Sequence, residues 1–172
     1  MPIDDPNEYF YWVDQNDNEI GKIKRSEAHN GSKKIHRCIY VVITNSKGEL
    51  LLQKRSINKD LGAGKLGMSV GGHLEYGDTY EGAAKREIKE ELGISPKLKF
   101  VRKDLIESPE EIEYSAIFSA SVDEQPMEFD KDEIDEVRWV PIRELRRLID
   151  KEEISDGAKS VMKIMGYIES DL

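Results

Sequence analysis

Short apolar runs separated by polar turn residues fill the first seventy positions of the chain, and one long amphipathic segment follows them. Tyr9 to Val13 and Glu19 to Lys24 flank Asp14-Gln15-Asn16-Asp17-Asn18, which predicts a hairpin extension over residues 9–24. Cys38 to Thr44 and Glu49 to Lys54 are apolar runs joined by Asn45-Ser46-Lys47-Gly48, a second expected hairpin. Ile57 to Gly67 holds three glycines and reads as a loop leading to a short strand at Met68 to Val70. Further on, Leu98 to Ile106 and Glu111 to Val122 predict an antiparallel pair, and Glu136 to Val140 a last strand. Helices are expected over Pro141 to Asp150 and Asp156 to Glu169. Proline suits a first helical turn, where its missing amide would be unpaired in any case.

The most informative stretch runs from Gly71 to Ile94, a glycine loop feeding a helix rich in carboxylates. Asp78 lies three residues before Glu81, the spacing of a capping box, so the helix is expected to start at Thr79, and Gly93 supplies a left-handed stop. At roughly 100° per residue, Tyr80, Ala84, Ile88 and Leu92 form an apolar stripe, and Glu87, Glu90 and Glu91 form an acidic one beside it. Carboxylates crowded three and four residues apart repel one another unless a cation relieves them. Mg²⁺ or Mn²⁺ suits such oxygen ligands.

These residues resemble the Nudix box, G-x5-E-x7-R-E-U-x-E-E-x-G-U with U aliphatic. The match runs through Gly72, Arg86, Glu87, Ile88, Glu90, Glu91, Gly93 and Ile94, so the box occupies residues 72–94. One position departs: Asp78 stands where the family has Glu. In the family that residue props the loop through the arginine, which an Asp at the helix start can do with a shorter arm. The resemblance implies an α/β fold, the Nudix α/β/α sandwich with a mixed β-sheet, as a single domain over 1–172.

Composition agrees with that expectation. The chain has 172 residues, 38% hydrophobic and 35% charged, as ordinary soluble domains do. No apolar run approaches bilayer length, and the polar, acidic beginning does not read as an export signal, so a cytoplasmic protein without a membrane partner is expected. Cys38 is the sole cysteine, which excludes an intrachain disulfide. The net charge of −9 argues against a nucleic-acid surface. Six basic residues nevertheless gather between Lys22 and Arg37 (Lys22, Lys24, Arg25, Lys33, Lys34, Arg37), as either a phosphate-facing patch or a solvated loop.

The three histidines extend the resemblance. The isopentenyl-diphosphate isomerase branch of the Nudix superfamily holds a metal with three histidines and two glutamates. Here His29 and His36 are seven apart, His73 follows Gly71-Gly72, and Glu111-Ile112-Glu113 opens a strand, so all five positions are filled. The isomerases also carry a cysteine two residues before the third histidine, where this chain has Gly71; Cys38 does not replace it. They usually show an eroded box helix, whereas Arg86-Glu87 and Glu90-Glu91 are whole here. The resemblance therefore implies a hydrolase with an isomerase-like body.

In that reading Gly71, through its carbonyl, and Glu87, Glu90 and Glu91 ligate Mg²⁺ or Mn²⁺. His29, His36, His73, Glu111 and Glu113 form a second site suited to Mn²⁺ or Zn²⁺. Glu87, Glu90 and Arg86 are the catalytic candidates, with Glu111, Glu113, Asp132 and Glu133 as further bases. Lys54 and Arg55 are candidates to bind a diphosphate. The expected partner is a small-molecule diphosphate, with room for a homodimer. Specificity is expected in the loops Ile57 to Gly67 and Asp123 to Lys131. An isomerase-like enzyme and a non-catalytic binding module are the alternatives.

Overall fold

The computed structural model describes residues 4–170. In chain order the elements are β1 (Tyr9–Val13), β2 (Glu19–Lys24), α1 (Arg25–Ala28), β3 (His36–Thr44), β4 (Glu49–Arg55), β5 (Leu66–Gly67), β6 (Val70–His73), α2 (Tyr80–Leu92), β7 (Lys99–Glu107), β8 (Ile112–Ser121), β9 (Ile134–Pro141), α3 (Leu145–Ile149) and α4 (Asp156–Ile164). β3 is central. It pairs antiparallel with β6 and parallel with β8, and β8 carries β7 on its other side. β4 lies antiparallel to both β9 and β5. The β1–β2 hairpin forms with the bounds its sequence pattern predicts and meets β3 at the single pair Trp12 and His36.

Side-chain alternation along β3 builds the three layers. Ile39, Val41 and Ile43 face one way, into a core with Ala84, Ile88 and Leu92 of α2. Tyr40 and Val42 face the other, into a core with Ala158, Val161 and Met162 of α4. A mixed sheet between helices results, as the family resemblance implies.

Several local expectations change. β3 and β4 share a tight turn but only one residue pair, Thr44 with Leu50, so the second hairpin is a junction where the sheet splays. Both strands are buried on both faces, and such runs carry no alternation that would reveal their partners. The strand expected at Met68 to Val70 instead begins at Val70 and takes in Gly71 and Gly72. Pro141 ends β9, and a 3-10 turn from Ile142 to Glu144 precedes α3. The last helix stops at Ile164 rather than Glu169. Thr79, not Asp78, caps α2, accepting from the Gly82 amide at 3.0 Å, and Gly93 closes the helix at φ 67° as expected.

The basic run from Lys22 to Arg37 is neither of the things expected of it. Arg25 is buried among Asp4, Glu8 and Asp60, and Arg37 pairs with Asp17 at 2.7 Å. Lys33 donates to the carbonyls of Ser108 and Pro109. Lys22 and Lys34 lie over aromatic rings. These cations fasten the amino-terminal hairpin and α1 to the body of the protein.

Candidate active site

The acidic face of α2 is set by helical spacing and by one absent side chain. A Cβ at Gly72 would lie 2.6 Å from the Glu87 carboxyl carbon, so only glycine lets β6 approach the helix this closely. Glu91 is buried beside Gln53, whose amide donates to it at 2.8 Å. Glu90 is more than half exposed. Arg86 holds the face together: it reaches Asp78 at 2.8 Å, Glu87 at 2.7 Å, and Glu75 and Glu90 at 3.5 Å. It also donates to the His73 carbonyl. Asp78 thus does the propping expected of it across the shorter arm.

The electrostatics of this face are unresolved by protein partners. Burial raises Glu87 to about 7; Arg86 offsets this in part, and Glu90 adds to the rise. Burial and the Glu87 charge raise Glu91 to about 8 against the pull of Gln53 and Arg55. Clustered, desolvated carboxylates beside backbone carbonyls are a donor set for a hard divalent cation.

The histidine cluster is built by strand register. Parallel pairing puts Glu113 opposite His36, and antiparallel pairing puts His73 opposite Cys38. Glu111 lies two residues before Glu113 and so on the same face. His29 arrives from the end of α1. The Nε2 atoms of His29 and His36 lie 3.1 and 3.0 Å from one Glu111 oxygen, and that of His73 lies at 3.5 Å. Donor atoms of His29, His36, His73 and Glu111 all fall within 4.8 Å of one another, and Glu113 joins His36, Cys38 and His73 in an overlapping group. Such a mixed imidazole and carboxylate set suits a transition metal.

An outer shell orients these rings. His29 Nδ1 pairs with Asp60 at 3.0 Å, and Arg25 grips the same carboxylate through two nitrogens. His36 Nδ1 meets the Lys34 carbonyl at 3.3 Å. Phe10, fully buried, stacks on His36 and His73. Carboxylate and carbonyl partners on the second ring nitrogen are the usual support of metal-binding histidines. Burial alone would lower His29, but hydrogen bonds to Asp60 and Glu111 outweigh it and raise the imidazole to about 9. Burial works to raise Glu111, yet the three histidines hold it well below the usual carboxylate range. Burial with the Glu111 charge lifts Glu113 to about 8.

β6 divides the two groups. Its alternation turns Gly71 and His73 toward the histidine side and Gly72 toward Glu87. The acidic face and His73, Glu111 and Glu113 line one cleft of about 500 Å³, whose walls also include Arg55, Lys65, Asp130 and Glu133; His29 and His36 are not part of its walls. Residues Lys59 to Gly62 bring the glycine loop to its rim. Lys54 is the exception among the expected binding residues: it is exposed, does not line the cleft, and sits on β4 between Gln53 and Arg55, which do. Asp132 is likewise absent from the walls, whereas Glu133 is present and paired with Lys59.

Sequence reasoning missed Gln53, Asp60, Phe10 and Tyr40. A glutamine within the apolar run Leu50-Leu51-Leu52 carries a signal, because a buried amide needs a partner. Asp60 carries none, since its partners lie 31 and 35 positions away.

The NUDIX domain family matches residues 34–161, so the chain belongs to the Nudix family. Within it the relatives divide by name. An isopentenyl-diphosphate Delta-isomerase 2 of Photorhabdus laumondii is 34% identical over 148 residues, covering 83% of this chain and 82% of its own. An uncharacterised Nudix hydrolase of Pseudomonas aeruginosa is 32% identical over 134 residues, covering 77% and 78%. The crystal structure of a Deinococcus radiodurans protein shares the fold at a TM-score of 0.78 and 26% identity, covering 91% of this chain and 98% of that one. Among the described residues no helix is long and apolar enough to cross a membrane.

Proposed function

We propose that this chain is a divalent-metal-dependent hydrolase that cleaves a diphosphate linkage, with a nucleoside diphosphate derivative as its substrate class. The observation that carries this reading is the pair Glu87 and Glu91, one turn apart on α2 and raised to about 7 and about 8 despite Arg86 and Arg55, in a cleft that Gly71 and Arg55 also line. In this reading Glu87, Glu90, Glu91 and the Gly71 carbonyl hold Mg²⁺ or Mn²⁺. The ion, when bound, neutralises nonbridging phosphate oxygens and makes water acidic enough to attack phosphorus.

The protein residues have separate tasks. Glu90 or Glu87 takes the proton from water. Arg86 is a positioning residue that fixes both carboxylates and the box loop. Arg55 uses Nε on the Leu61 carbonyl, leaving its terminal nitrogens as donors for the diphosphate. His29, His36, His73, Glu111 and Glu113 hold Mn²⁺ or Zn²⁺ as a second centre. The test is a screen of nucleotide sugars, dinucleotides and isoprenoid diphosphates with Mg²⁺ and Mn²⁺. Turnover lost in Glu91→Gln supports the assignment, and equal turnover in that variant refutes it.

The closed histidine cluster and the isomerase relative favour a second reading, proton transfer at carbon on an isoprenoid diphosphate. Gly71 opposes it. A side chain there would begin 3.1 Å from the Tyr40 ring, so the position offers no acid or base and little room for one. Uptake of solvent deuterium into isopentenyl diphosphate would favour this second reading over hydrolysis.

A further inference from the structure

Two glycines on different elements face the same tyrosine. A Cβ at Gly71 on β6 would lie 3.1–3.2 Å from the Tyr40 ring, and one at Gly157 on α4 would clash with the Tyr40 hydroxyl. Neither glycine has a positive φ, so backbone conformation does not require them. Gly157 sits in the first turn of a nine-residue helix, where alanine would be the better helix former. What the two positions share is the space they leave for one side chain.

The hydroxyl placed in that space donates to Glu113 Oε2 at 2.9 Å. Ser115 donates to the same oxygen at 3.2 Å. Both hydroxyls therefore fix one edge of the carboxylate and leave Oε1 free of either. Alternation brings Tyr40 and His36 to the same face of β3, and the parallel register places Glu113 opposite His36. The Glu113 carboxylate falls within 4.8 Å of the ligand atoms of His36 and His73.

We infer that Tyr40 is a positioning residue for the histidine and glutamate centre: its hydroxyl, seated by Gly71 and Gly157, aims Glu113 at a transition metal. The inference rests on that centre's binding a metal, as proposed above. Hydrogen-bond partners of metal ligands typically change affinity by about 10–100-fold when removed.

The test is titration of the full chain with Zn²⁺ by calorimetry in the presence of excess Mg²⁺, with the visible spectrum of the Co²⁺ form as a second readout. Tyr40→Phe removes only the hydroxyl. Gly157→Ala keeps the hydroxyl and displaces it. Both are expected to weaken binding by about 10–100-fold and to shift the Co²⁺ bands as Glu113 leaves or loosens. Thermal melting of each variant reports folding, and His36→Asn reports the centre itself. If His36→Asn abolishes binding while Tyr40→Phe matches the wild type in affinity and spectrum, the role of Tyr40 is refuted. If His36→Asn also binds as the wild type does, the metal centre itself is wrong and the inference falls with it. Wild-type binding by Gly157→Ala in a folded protein would overturn the seating of the hydroxyl.

Discussion

The acidic face of α2 and the histidine cluster share one cleft but solve the problem of buried charge in opposite ways. Glu87, Glu90 and Glu91 come from five consecutive residues, and their like charges meet with Arg86 as the main cation among them. The cluster draws His29, His36, His73 and Glu111 from four separate segments, and all three imidazoles turn Nε2 toward one Glu111 oxygen. The acidic face therefore has both Glu87 and Glu91 pushed up, to about 7 and about 8; the cluster has Glu111 held down by its histidines beside a Glu113 pushed up to about 8. A site that is frustrated in the bare protein is poised for an ion. A site that is satisfied must exchange internal hydrogen bonds for one.

The largest effect should come from Glu91→Gln. Loss of one charged ligand is expected to cut diphosphate hydrolysis by about 10³-fold or more, read from kcat. The amide keeps an acceptor for Gln53 and replaces a carboxyl whose ionisation the fold opposes but the unfolded chain allows, so melting in chelator at neutral pH should move upward. Glu111→Gln should do the reverse. Loss of its paired charge is expected to cost about 2 kcal/mol in urea unfolding. If both substitutions shift stability the same way, the contrast between the regions fails.

A smaller effect should appear in the pH dependence of the metal-free protein. Glu87 and Glu91 have folded values above the unfolded one, so they contribute most below about pH 4.5, and that contribution disappears as pH rises through 7 to 8. His29, raised to about 9, and Glu113, raised to about 8, act in the same direction, while His73, lowered by burial, opposes them with a single group. Melting in EDTA should therefore fall by several degrees between pH 5 and 8, and Mg²⁺ should restore it most at pH 8. A flat profile in EDTA would show that the acidic face is already neutralised. Smallest is Thr79→Ala, which removes the cap of α2 at about 1 kcal/mol in urea unfolding. Zn²⁺ affinity at the histidine cluster should not change with it, because no cluster residue lies on that helix.

The same contrast explains what was legible in the sequence. Glu87, Glu90 and Glu91 lie on one helix with a glycine stop, so period and spacing reveal their common face. The five residues of the cluster were found through resemblance, because strand register, not spacing along the chain, brings them together. The parting of β3 and β4 was invisible for a related reason: partners of doubly buried strands are chosen by the whole sheet. Four-residue α1 and two-residue β5 are too short to show a period. The glycines of β6 read as loop, yet they form strand because Glu87 and Tyr40 occupy the volume their side chains would take.

Gly72 and Glu87 also constrain how this protein can diverge. A methyl group at 72 intrudes on the carboxyl carbon of 87, so the fitness of a substitution at either position depends on the residue at the other. Gly72→Ala is harmful while Glu87 is present, and becomes tolerable only after 87 has shrunk or turned away. A lineage that keeps Glu87 in this position keeps glycine at 72, and one that loses or redirects the helix carboxylate frees residue 72 to vary.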